Sequence, residues 1–546
     1  MSPALTDDEK ERLIELAASL VQDEVTSVIA YGSKIAGYAR PDSDYDIIVS
    51  SRSFGGRVRY KYVDEPLKAS ALVVRDELFL SDARKASLGE FVSGRLLNVH
   101  LPLVNPGFAR EAEVESKKRI IAEAIYELSS QNGEFSQDLL IPLDYFLFDK
   151  LHKRALIYPP VLYSYIKTYT CPSAPKNRAS SLDGFRAAAG LLAGQGFFEL
   201  EDDVVRLSSE KLRGRSFAKL LALFNLTARG VRQYAVHGYA GRVRLSVVRD
   251  EAFSKVKRMQ QKVEPPAELE HPKELLKLEE GVVVSRTPEM IQALANKAGF
   301  STYTHRSKSL GEVYSTARMV TISGGDGIDG GQVGYVFKYF ADIRSMKWAL
   351  LNVWAPRMKF SMSPQARMHR EYDAALRIRR SGVMTPRVAA AAIDDRVLAK
   401  EFVDGKLLSK FIEETLKGSA PEPLYVRECG VALGRMHGTG FALGDAKAEN
   451  IVVKDGALYF TDLEQAVEGG DQPWDIAEFL YYAGKLSLRE DAMRTVANAF
   501  LDGYVEANGR ENVARAKASK YLAPFRPLII PQVLKAIRGS LESHSG

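Results

Sequence analysis

The stretch RMHGTGFALGDAKAENIVVKDGALYFTDLEQA (Arg435–Ala466) decides the fold of the C-terminal half of the chain. It places Asp445, Lys447 and Asn450 at D-x-K-x-x-N spacing, and Asp462 follows two predicted strands, IVV and ALYF, joined by a polar turn. Phosphoryl transfer requires such groups: Asp445 can accept or orient the proton of a hydroxyl, and Lys447 can neutralise charge on the moving phosphoryl group. Asn450 and Asp462 can hold Mg²⁺ on the phosphates.

The order of these motifs resembles the atypical kinases, most closely the small protein kinase of the KEOPS complex and the RIO kinases, over roughly residues 305–485. The resemblance implies a two-lobed kinase-like fold with ATP and Mg²⁺ as cofactors. It assigns Lys338, in the predicted strand VGYVFKYF, to the α- and β-phosphates. It assigns Glu371, on an amphipathic helix predicted within Arg367–Val388, to an ion pair with that lysine.

The same resemblance assigns the adenine-binding hinge and the loop that covers the phosphates. RVLAKEFVDGKLL (Arg396–Leu408) corresponds to the hinge strand, in which Glu401 and Val403 would give backbone hydrogen bonds to adenine. LGEVYSTARMV (Leu310–Val320) corresponds to the covering loop and holds one glycine, Gly311, in place of three.

Departures from ordinary protein kinases bear on the acceptor. Leu443 stands where the catalytic loop usually has a histidine, and Asp462-Leu463-Glu464 replaces the usual DFG. Asp475 follows Asp462 so closely in the sequence that no long activation segment or peptide-docking platform fits between these two aspartates. Aminoglycoside- and choline-type phosphotransferases share such a short loop, so a small-molecule acceptor stays open beside RNA or an RNA-associated protein. A silent pseudokinase is the remaining alternative, and the full set of site residues favours activity.

A second candidate site lies in SVIAYGSKIAGYARPDSDYDIIV (Ser27–Val49). A short apolar strand leads into Gly32 and Ser33, where backbone amides can approach a triphosphate. Asp44 and Asp46 are followed by the predicted strand IIV, and their i, i+2 spacing lets both project to one side and hold divalent cations. This pattern resembles the polymerase-β-type nucleotidyltransferases, and among them the minimal nucleotidyltransferases, over roughly residues 20–105. The resemblance implies phosphate binding by the Gly-Ser turn and metal binding by the two aspartates.

The nucleotidyltransferase family also uses a third carboxylate on a later strand, and this sequence lacks one there. The candidate strand KASALVV (Lys68–Val74) has no acid near Ala71, while Asp64 and Asp76 flank the strand without obviously facing the metals. We therefore expect a domain that binds a nucleotide, and the sequence leaves nucleotidyl transfer open.

Composition and length exclude several classes of protein. A chain of 546 residues suggests roughly three or four domains, and 46% apolar with 26% charged residues is typical of globular proteins. Two cysteines exclude a disulfide framework and a four-thiolate zinc site. The polar N-terminus is unlike a secretory signal, and the apolar runs are shorter than the roughly 18–20 residues of a spanning helix. We expect a cytoplasmic protein without membrane contact.

Positive charge is concentrated in one part of the chain. The net charge is +6, yet residues 206–262 hold 14 basic and three acidic residues. Interleaved aromatic residues, such as Phe217 and Tyr234, could stack on unpaired bases, so this basic stretch predicts a polyanionic partner, with tRNA-like RNA favoured over DNA. A solvated helix surface packed on acidic neighbours is the alternative. The basic tail within Arg510–Ser540 could extend an RNA-binding face or pack as a helical cap.

Together these patterns predict a multidomain α+β protein with a nucleotidyltransferase fold, a helical and winged-helix middle, and a two-lobed protein-kinase-like fold. The function they favour is ATP–Mg-dependent phosphoryl transfer to RNA or an RNA-associated protein. The alternatives are a small-molecule phosphotransferase and a nucleotide-sensing RNA-binding protein. The predicted segments are a nucleotidyltransferase-like domain at 1–110, a helical connector at 111–179, a winged-helix-like module with the basic stretch at 180–262, a linker at 263–274 and the kinase-like domain at 275–546.

Overall fold

The computed structural model describes residues 5–21, 24–56, 58–65, 67–207, 264–310, 316–325, 331–341, 363–418 and 423–546. The chain forms two compact units: the first comprises Met1–Gln131 and Leu139–Lys277, and the second comprises Asn132–Asp138 and Leu278–Gly546. The predicted fold class, a multidomain protein of mixed helices and strands, is confirmed. The predicted domain boundaries stay predictions. The basic stretch beyond Leu207 and the covering-loop residue Gly311 lie outside the described residues.

The first unit contains a five-stranded sheet in the order β3-β4-β2-β1-β5. Strands β2 and β4 are parallel, and the other neighbouring pairs are antiparallel. Along β2, Ile47 and Val49 contact one hydrophobic core while Ile48 contacts another. Because both faces of the sheet are covered, its central strands are nearly continuous apolar runs. The strands are β1 (Ser27–Tyr31), β2 (Tyr45–Ser51), β3 (Val58–Val63), β4 (Ala69–Arg75) and β5 (Leu101–Val104).

Helices and a small sheet complete the first unit. Within the predicted winged-helix-like module, α7 is followed by the antiparallel pair β7 and β8, to which β6 adds a third strand. The helices are α1 (Asp7–Leu20), α2 (Ser33–Ala36), α3 (Asp76–Lys85), α4 (Pro106–Asn132), α5 (Leu143–Ile157), α6 (Leu162–Thr170), α7 (Ala174–Gly194) and α8 (Ala267–Glu270). The strands are β6 (Leu140–Pro142), β7 (Glu199–Glu201) and β8 (Val204–Arg206).

The second unit begins with a six-stranded sheet in the order β10-β11-β12-β14-β13-β9. The helix predicted within Arg367–Val388 is observed as α10, which Ser363 caps through its side chain and Pro364 begins. The elements are β9 (Val282–Val284), α9 (Thr287–Lys297), β10 (Tyr303–Leu310), β11 (Ala317–Gly324), β12 (Gln332–Tyr339), α10 (Pro364–Arg380), β13 (Val388–Ala392) and β14 (Val397–Glu401).

The rest of the second unit is mainly helical. The hairpin predicted after the catalytic loop is observed as the antiparallel strands β17 and β18. The basic tail packs apolar residues such as Phe525 and Val533 into the core, while its lysines and arginines are exposed. The elements are β15 (Lys406–Leu407), α11 (Leu408–Leu416), α12 (Leu424–Gly438), β16 (Phe441–Ala442), β17 (Ile451–Lys454), β18 (Ala457–Phe460), β19 (Val467–Glu468), α13 (Gln472–Gly484), α14 (Glu490–Asn508), α15 (Glu511–Ala516), α16 (Ser519–Leu522) and α17 (Pro531–Ser543).

Short 3-10 helices connect several of these elements. They are Ser93–Leu97, Gly133–Gln137, Pro159–Val161, Pro272–Leu275, Ala448–Asn450 and Arg526–Leu528. No helix within the described ranges combines the length and the apolar character that crossing a bilayer requires.

Candidate functional site

Three of the residues predicted to bind ATP and metal meet in the second unit. Nζ of Lys338, on β12, donates to Oε2 of Glu371, on α10, at 2.8 Å. The same ammonium donates to Oδ1 of Asp462 at 2.5 Å. Glu371 also accepts the backbone N–H of Leu463 at 3.0 Å, which ties the helix to the segment that carries Asp462. The lysine, the helix carboxylate and the predicted metal ligand therefore form one cluster.

Three further charged residues in this cluster, Lys400, Glu464 and Arg367, were not predicted. Lys400, a buried residue of β14, pairs with Oε1 of Glu371 and donates to the carbonyl oxygen of Thr461. Glu464, at the third position of the modified DFG, lies 3.5 Å from Nζ of Lys338 and 3.3 Å from Nη1 of Arg367. The cluster therefore holds three cations and three carboxylates.

Mutual charge favours the ionised forms of Lys338 and Glu371 despite their burial. Burial alone would lower the pKa of Lys338, but the charges of Asp462 and Glu371 raise that pKa well above its ordinary value. Burial likewise would raise the pKa of Glu371, and the two lysines outweigh it, so this pKa is lowered. An ionised Glu371 is the form that can hold Lys338 in place.

The catalytic-loop residues form a second group. Lys447 forms an ion pair with Asp445. Nδ2 of Asn450 donates to Oδ2 and to the backbone carbonyl of Asp445, each at 3.1 Å. Since its amide nitrogen is used in this way, Asn450 keeps its side-chain oxygen for a cation. The carbonyl of Asn450 accepts the backbone N–H of Thr461 at 2.9 Å, so the two predicted metal ligands lie on connected segments.

Acidic side chains of helix α13 hold the backbone of the catalytic loop through hydrogen bonds. Asp475 accepts the backbone N–H groups of Leu443 and Gly444 at 2.6 and 2.8 Å. Nε2 of His437, on α12, lies 3.1 Å from the same carboxylate. Although Leu443 replaces the loop histidine, an imidazole from the preceding helix still contacts the aspartate that anchors the loop.

Glu478 lies one turn further along α13 and accepts the backbone N–H of Ala446 at 2.8 Å. Burial and the nearby charge of Asp445 raise the pKa of Glu478 well above its ordinary value. This carboxyl therefore supports the backbone of the catalytic loop beside Asp445. The spacing of the two acids in WDIAEFL, which places them on one helix face, is the sequence feature that could have identified Glu478.

The predicted hinge follows β14 directly. Glu401 is the last residue of β14, and its backbone N–H donates to the carbonyl of Arg387 at 2.9 Å. To form a hydrogen bond with adenine, Glu401 would therefore have to accept one through its backbone carbonyl oxygen. Val403 lies two residues beyond the strand, and Phe402 between them donates to the carbonyl of Gly334 at 3.1 Å.

The donor set of this site suits Mg²⁺ delivered with a nucleotide. Mg²⁺ prefers oxygen ligands and is commonly bound by one or two protein groups together with substrate phosphates. Asp462 and the side-chain oxygen of Asn450 are such groups. Across the described part of the chain, no three or more histidine, cysteine, aspartate or glutamate side chains are arranged to hold a metal by themselves.

The first unit contains the second candidate site, a cleft of about 420 Å³ lined by Gly32, Ser33, Asp44 and Asp46. Gly32 has φ +82°, and a Cβ at this position would come within 2.1 Å of Oδ2 of Asp46. Only glycine therefore permits the turn to pass this close to the carboxylate. The two aspartates and the Gly-Ser turn are together, as the sequence pattern predicts.

Ser70 occupies the place on β4 that faces the aspartates. It pairs with Asp46 in the parallel register of β2 and β4, and its hydroxyl donates to Oδ2 of Asp44. Ala71 is fully buried in the core, Asp64 is exposed, and Asp76 begins α3 beyond the far end of β4. The residue of β4 that faces the two aspartates therefore carries a hydroxyl group and not a carboxylate.

Cations and aromatic rings line the rest of the cleft. Arg154, on α5, donates to Oε2 of the buried Glu90 at 2.8 Å and to the hydroxyl of Tyr165 at 3.1 Å. Arg95 donates to the hydroxyl of Tyr31 at 2.9 Å. Positive groups that buried partners hold in place are suited to phosphate oxygens. Additional lining residues are Lys68, Tyr38, Tyr60, Tyr62, Phe91, Tyr158 and Tyr163.

Two curated proteins are similar to parts of this chain. A probable bifunctional tRNA threonylcarbamoyladenosine biosynthesis protein of Methanoculleus marisnigri is 29% identical over 126 residues, which are 23% of this chain and 22% of that protein. The KEOPS complex subunit Bud32 of Pyrococcus abyssi is 30% identical over 94 residues, 17% of this chain and 41% of that subunit. The chain thus spans less than half the length of either relative. No family model matches it.

Two solved structures were also found as neighbours. A choline kinase of Cryptosporidium parvum is 10% identical, with 47% of this chain and 94% of that chain covered and a TM-score of 0.23. A nucleotidyltransferase-like protein of Exiguobacterium sibiricum is 12% identical, with 57% and 98% covered and a TM-score of 0.16. The resemblance to the KEOPS-complex kinase that the motifs of the second unit indicated is supported by the two curated relatives.

Proposed function

We propose that this chain, a nucleotidyltransferase-like region joined to an atypical kinase-like region, is an ATP- and Mg²⁺-dependent phosphotransferase whose acceptor is RNA or an RNA-associated protein. The observation that carries the proposal is the cluster of Lys338, Glu371 and Asp462 in the same unit as the Asp445–Lys447–Asn450 loop. A cytoplasmic location belongs to the same proposal.

Each side chain has a definite task in this proposal. Lys338, held by Glu371, contacts the α- and β-phosphates, and Asp445 orients the acceptor hydroxyl and receives its proton. Lys447 offsets negative charge beside Asp445 during transfer. Asn450 and Asp462 would hold Mg²⁺, which supplies charge neutralisation of the phosphates when bound.

The groups beside Asp445 favour an acceptor that carries negative charge. The ammonium groups of Lys447 and Lys485 lie 4.7 and 3.6 Å from the centre of the Tyr482 ring. Nζ of Lys485 also lies 5.5 Å from the centre of the Phe525 ring. Cations beside aromatic rings suit a ligand with both phosphates and bases, such as unpaired RNA. A cationic acceptor, such as choline or an aminoglycoside, would be repelled by both lysines.

Three further features support RNA as the partner class. The names of both curated relatives point to tRNA modification or to the KEOPS complex. The basic stretch of residues 206–262 carries a large excess of positive charge. Exposed cations of the tail, among them Arg526 next to Phe525, add to this charge in the second unit.

We propose a second function for the cleft of the first unit. This function is the binding of a nucleoside triphosphate together with a divalent cation. The Gly32–Asp46 contact and the pair of aspartates support binding. Ser70 in place of a third carboxylate removes the group that would help activate an acceptor for nucleotidyl transfer.

Transfer from ATP labelled at the γ-phosphate tests the main proposal. The full chain with Mg²⁺ would be offered tRNA-rich RNA, extract protein with bound RNA, and choline with aminoglycosides. We expect label in the RNA or its bound protein, and Lys485→Gln should lower the rate about tenfold, as expected for one lost contact to a charged group. Lys410→Gln, at an exposed position of α11, is the matched control and should leave the rate unchanged.

Two results would contradict the proposal in different ways. Label in choline or an aminoglycoside would overturn the acceptor class while leaving phosphoryl transfer in place. Absence of label in all three acceptor pools, with ATP binding intact, would overturn the phosphotransferase itself.

A further inference from the structure

Helix α10 presents two different sets of residues to its surroundings within the second unit. Arg367 and Glu371 belong to the charged cluster around Lys338. Gln365, His369 and Tyr372 follow i, i+4, i+7 spacing and lie on another stripe. This second stripe is covered by Asn132–Asp138, a segment far upstream in the chain that belongs to the same compact unit.

An aromatic pair forms the centre of this contact. The rings of Phe135 and Tyr372 lie 6.0 Å apart in an edge-to-face arrangement, and each residue is about 1% exposed. The hydroxyl of Tyr372 accepts the backbone N–H of Glu280 at 2.8 Å. Tyr372 directly follows Glu371, so the ring and the carboxylate that holds Lys338 are attached to neighbouring backbone positions of α10.

Polar and close steric contacts flank the aromatic pair. Oδ2 of Asp138 lies 2.8 Å from Nδ1 of His369, and both side chains are largely buried. Gly133 has φ +52°, and a Cβ built there would lie 3.1 Å from Cβ of Gln365. The contact therefore covers two turns of α10 through one aromatic pair, one charged pair and one glycine.

We propose that Asn132–Asp138 is a clamp that sets the position of α10, with Phe135 and Asp138 as positioning residues for Glu371. The proposal rests on the phosphotransferase proposed above and names residues that neither the kinase-like motifs nor the relatives assign. A misplacement of about 1 Å in a reacting constellation can cost about 100-fold in rate. Loss of the clamp lets α10 shift, so that Glu371 releases Lys338 while the remainder of the unit stays folded.

Two measurements on the full chain test the clamp with Phe135→Ala and Asp138→Asn. The first is γ-phosphate transfer, for which we expect a 10- to 100-fold lower kcat with KM for ATP changed less than threefold. Phe135→Leu, which keeps apolar volume, should restore most of the rate. Phe411→Ala removes a comparable aromatic pair on α11 and should leave kcat unchanged.

The second measurement does not depend on kinase activity. Because Lys338 is buried and its amine donates to Glu371 and Asp462, this amine should react slowly with an acylating reagent, as read by mass spectrometry. In both clamp variants, the reagent should acylate Lys338 several-fold faster than in wild type at the same pH. In Phe411→Ala the rate of acylation should equal that of wild type.

The outcomes separate this inference from the proposed function. Unchanged acylation of Lys338 in folded Asp138→Asn and His369→Gln chains overturns the clamp, and these variants serve if Phe135→Ala fails to fold. Faster acylation of Lys338 in the clamp variants, together with no γ-phosphate transfer by the wild-type chain, supports the clamp and overturns the phosphotransferase alone.

Discussion

The cations around Glu371 favour the ionised form of its carboxyl group. It is completely buried, and two lysines and one backbone N–H satisfy its oxygens. Removing one partner of such a buried network typically costs about 3–5 kcal/mol, because the other charges are left uncompensated. The arrangement therefore contributes to stability as well as to the chemistry of the site.

Acid should weaken this contribution. The pKa of Glu371 is lowered in the folded chain, since the charges of Lys338 and Lys400 outweigh its burial. Its stabilisation is therefore complete above the unfolded pKa of about 4.5 and is lost as the pH falls through the folded pKa. Urea unfolding of wild type and Glu371→Gln should give a free-energy difference that is constant from pH 7 to 5 and shrinks below pH 4.5. A difference that grows in acid would contradict the assignment.

Ser70 is the residue of β4 that faces the two aspartates of the first unit. Ser70→Asp places a carboxylate opposite Asp46 and beside Asp44, so Mn²⁺ or Mg²⁺ should bind about tenfold more tightly in the presence of a nucleotide. Calorimetric titration measures this change, and Ser70→Ala serves as the control that removes the hydroxyl without adding charge. Equal metal affinity for all three proteins would show that β4 does not face the metal site.

Helix pairing in the second unit depends on small residues between α12 and α14. A Cβ on Gly430 would lie 2.0 Å from the backbone oxygen of Phe500, whereas one on Gly438 meets its nearest atom at 3.7 Å. Gly430→Ala should therefore cost about 1–3 kcal/mol through overpacking. Gly438→Ala, at the end of the same helix, should cost nothing or stabilise by up to about 1 kcal/mol. Thermal unfolding of both variants checks this, and equal melting temperatures would contradict the close approach.

Local patterns predicted the elements of the fold more fully than they predicted side-chain partners. The hairpin after Asn450, the strand with Lys338 and the turn at Gly32 have strong spacing and turn preferences, and each is observed. The sequence placed the missing acid near Ala71, but a shift of one residue on a strand reverses the face, and Ser70 is the residue that faces the cleft. Lys400 could not be identified because its role depends on strand register and not on a motif.

Contacts between distant segments were beyond the reach of the sequence. Nothing in GEFSQD indicates that Phe135 and Asp138 pack on a helix more than two hundred residues later. The same holds for Arg154, whose position in the cleft depends on the buried Glu90. Such pairs are determined by how the units fold, because no local periodicity encodes them.

The whole molecule contains two candidate nucleotide sites, one in each compact unit. Equilibrium dialysis with Mg²⁺ and a non-hydrolysable ATP analogue should therefore give two bound nucleotides per chain. Asp46→Asn should remove the site in the first unit and Lys338→Met the site in the second, each leaving one. Asp64→Asn, an exposed acid near the first site, should leave both. A stoichiometry of one in wild type, abolished by either variant alone, would contradict two independent sites.

The central claim is that Asp445 serves phosphoryl transfer in the second unit. The most direct measurement compares transfer of γ-label from ATP to RNA and RNA-bound protein for wild type, Asp445→Asn and Asp455→Asn. Asp455 lies in the turn between β17 and β18 and provides the matched carboxylate control. We predict a loss of at least about 100-fold, in line with the usual effect of a general base, for Asp445→Asn with ATP binding retained, and no change for Asp455→Asn. Equal transfer by all three proteins would contradict the account.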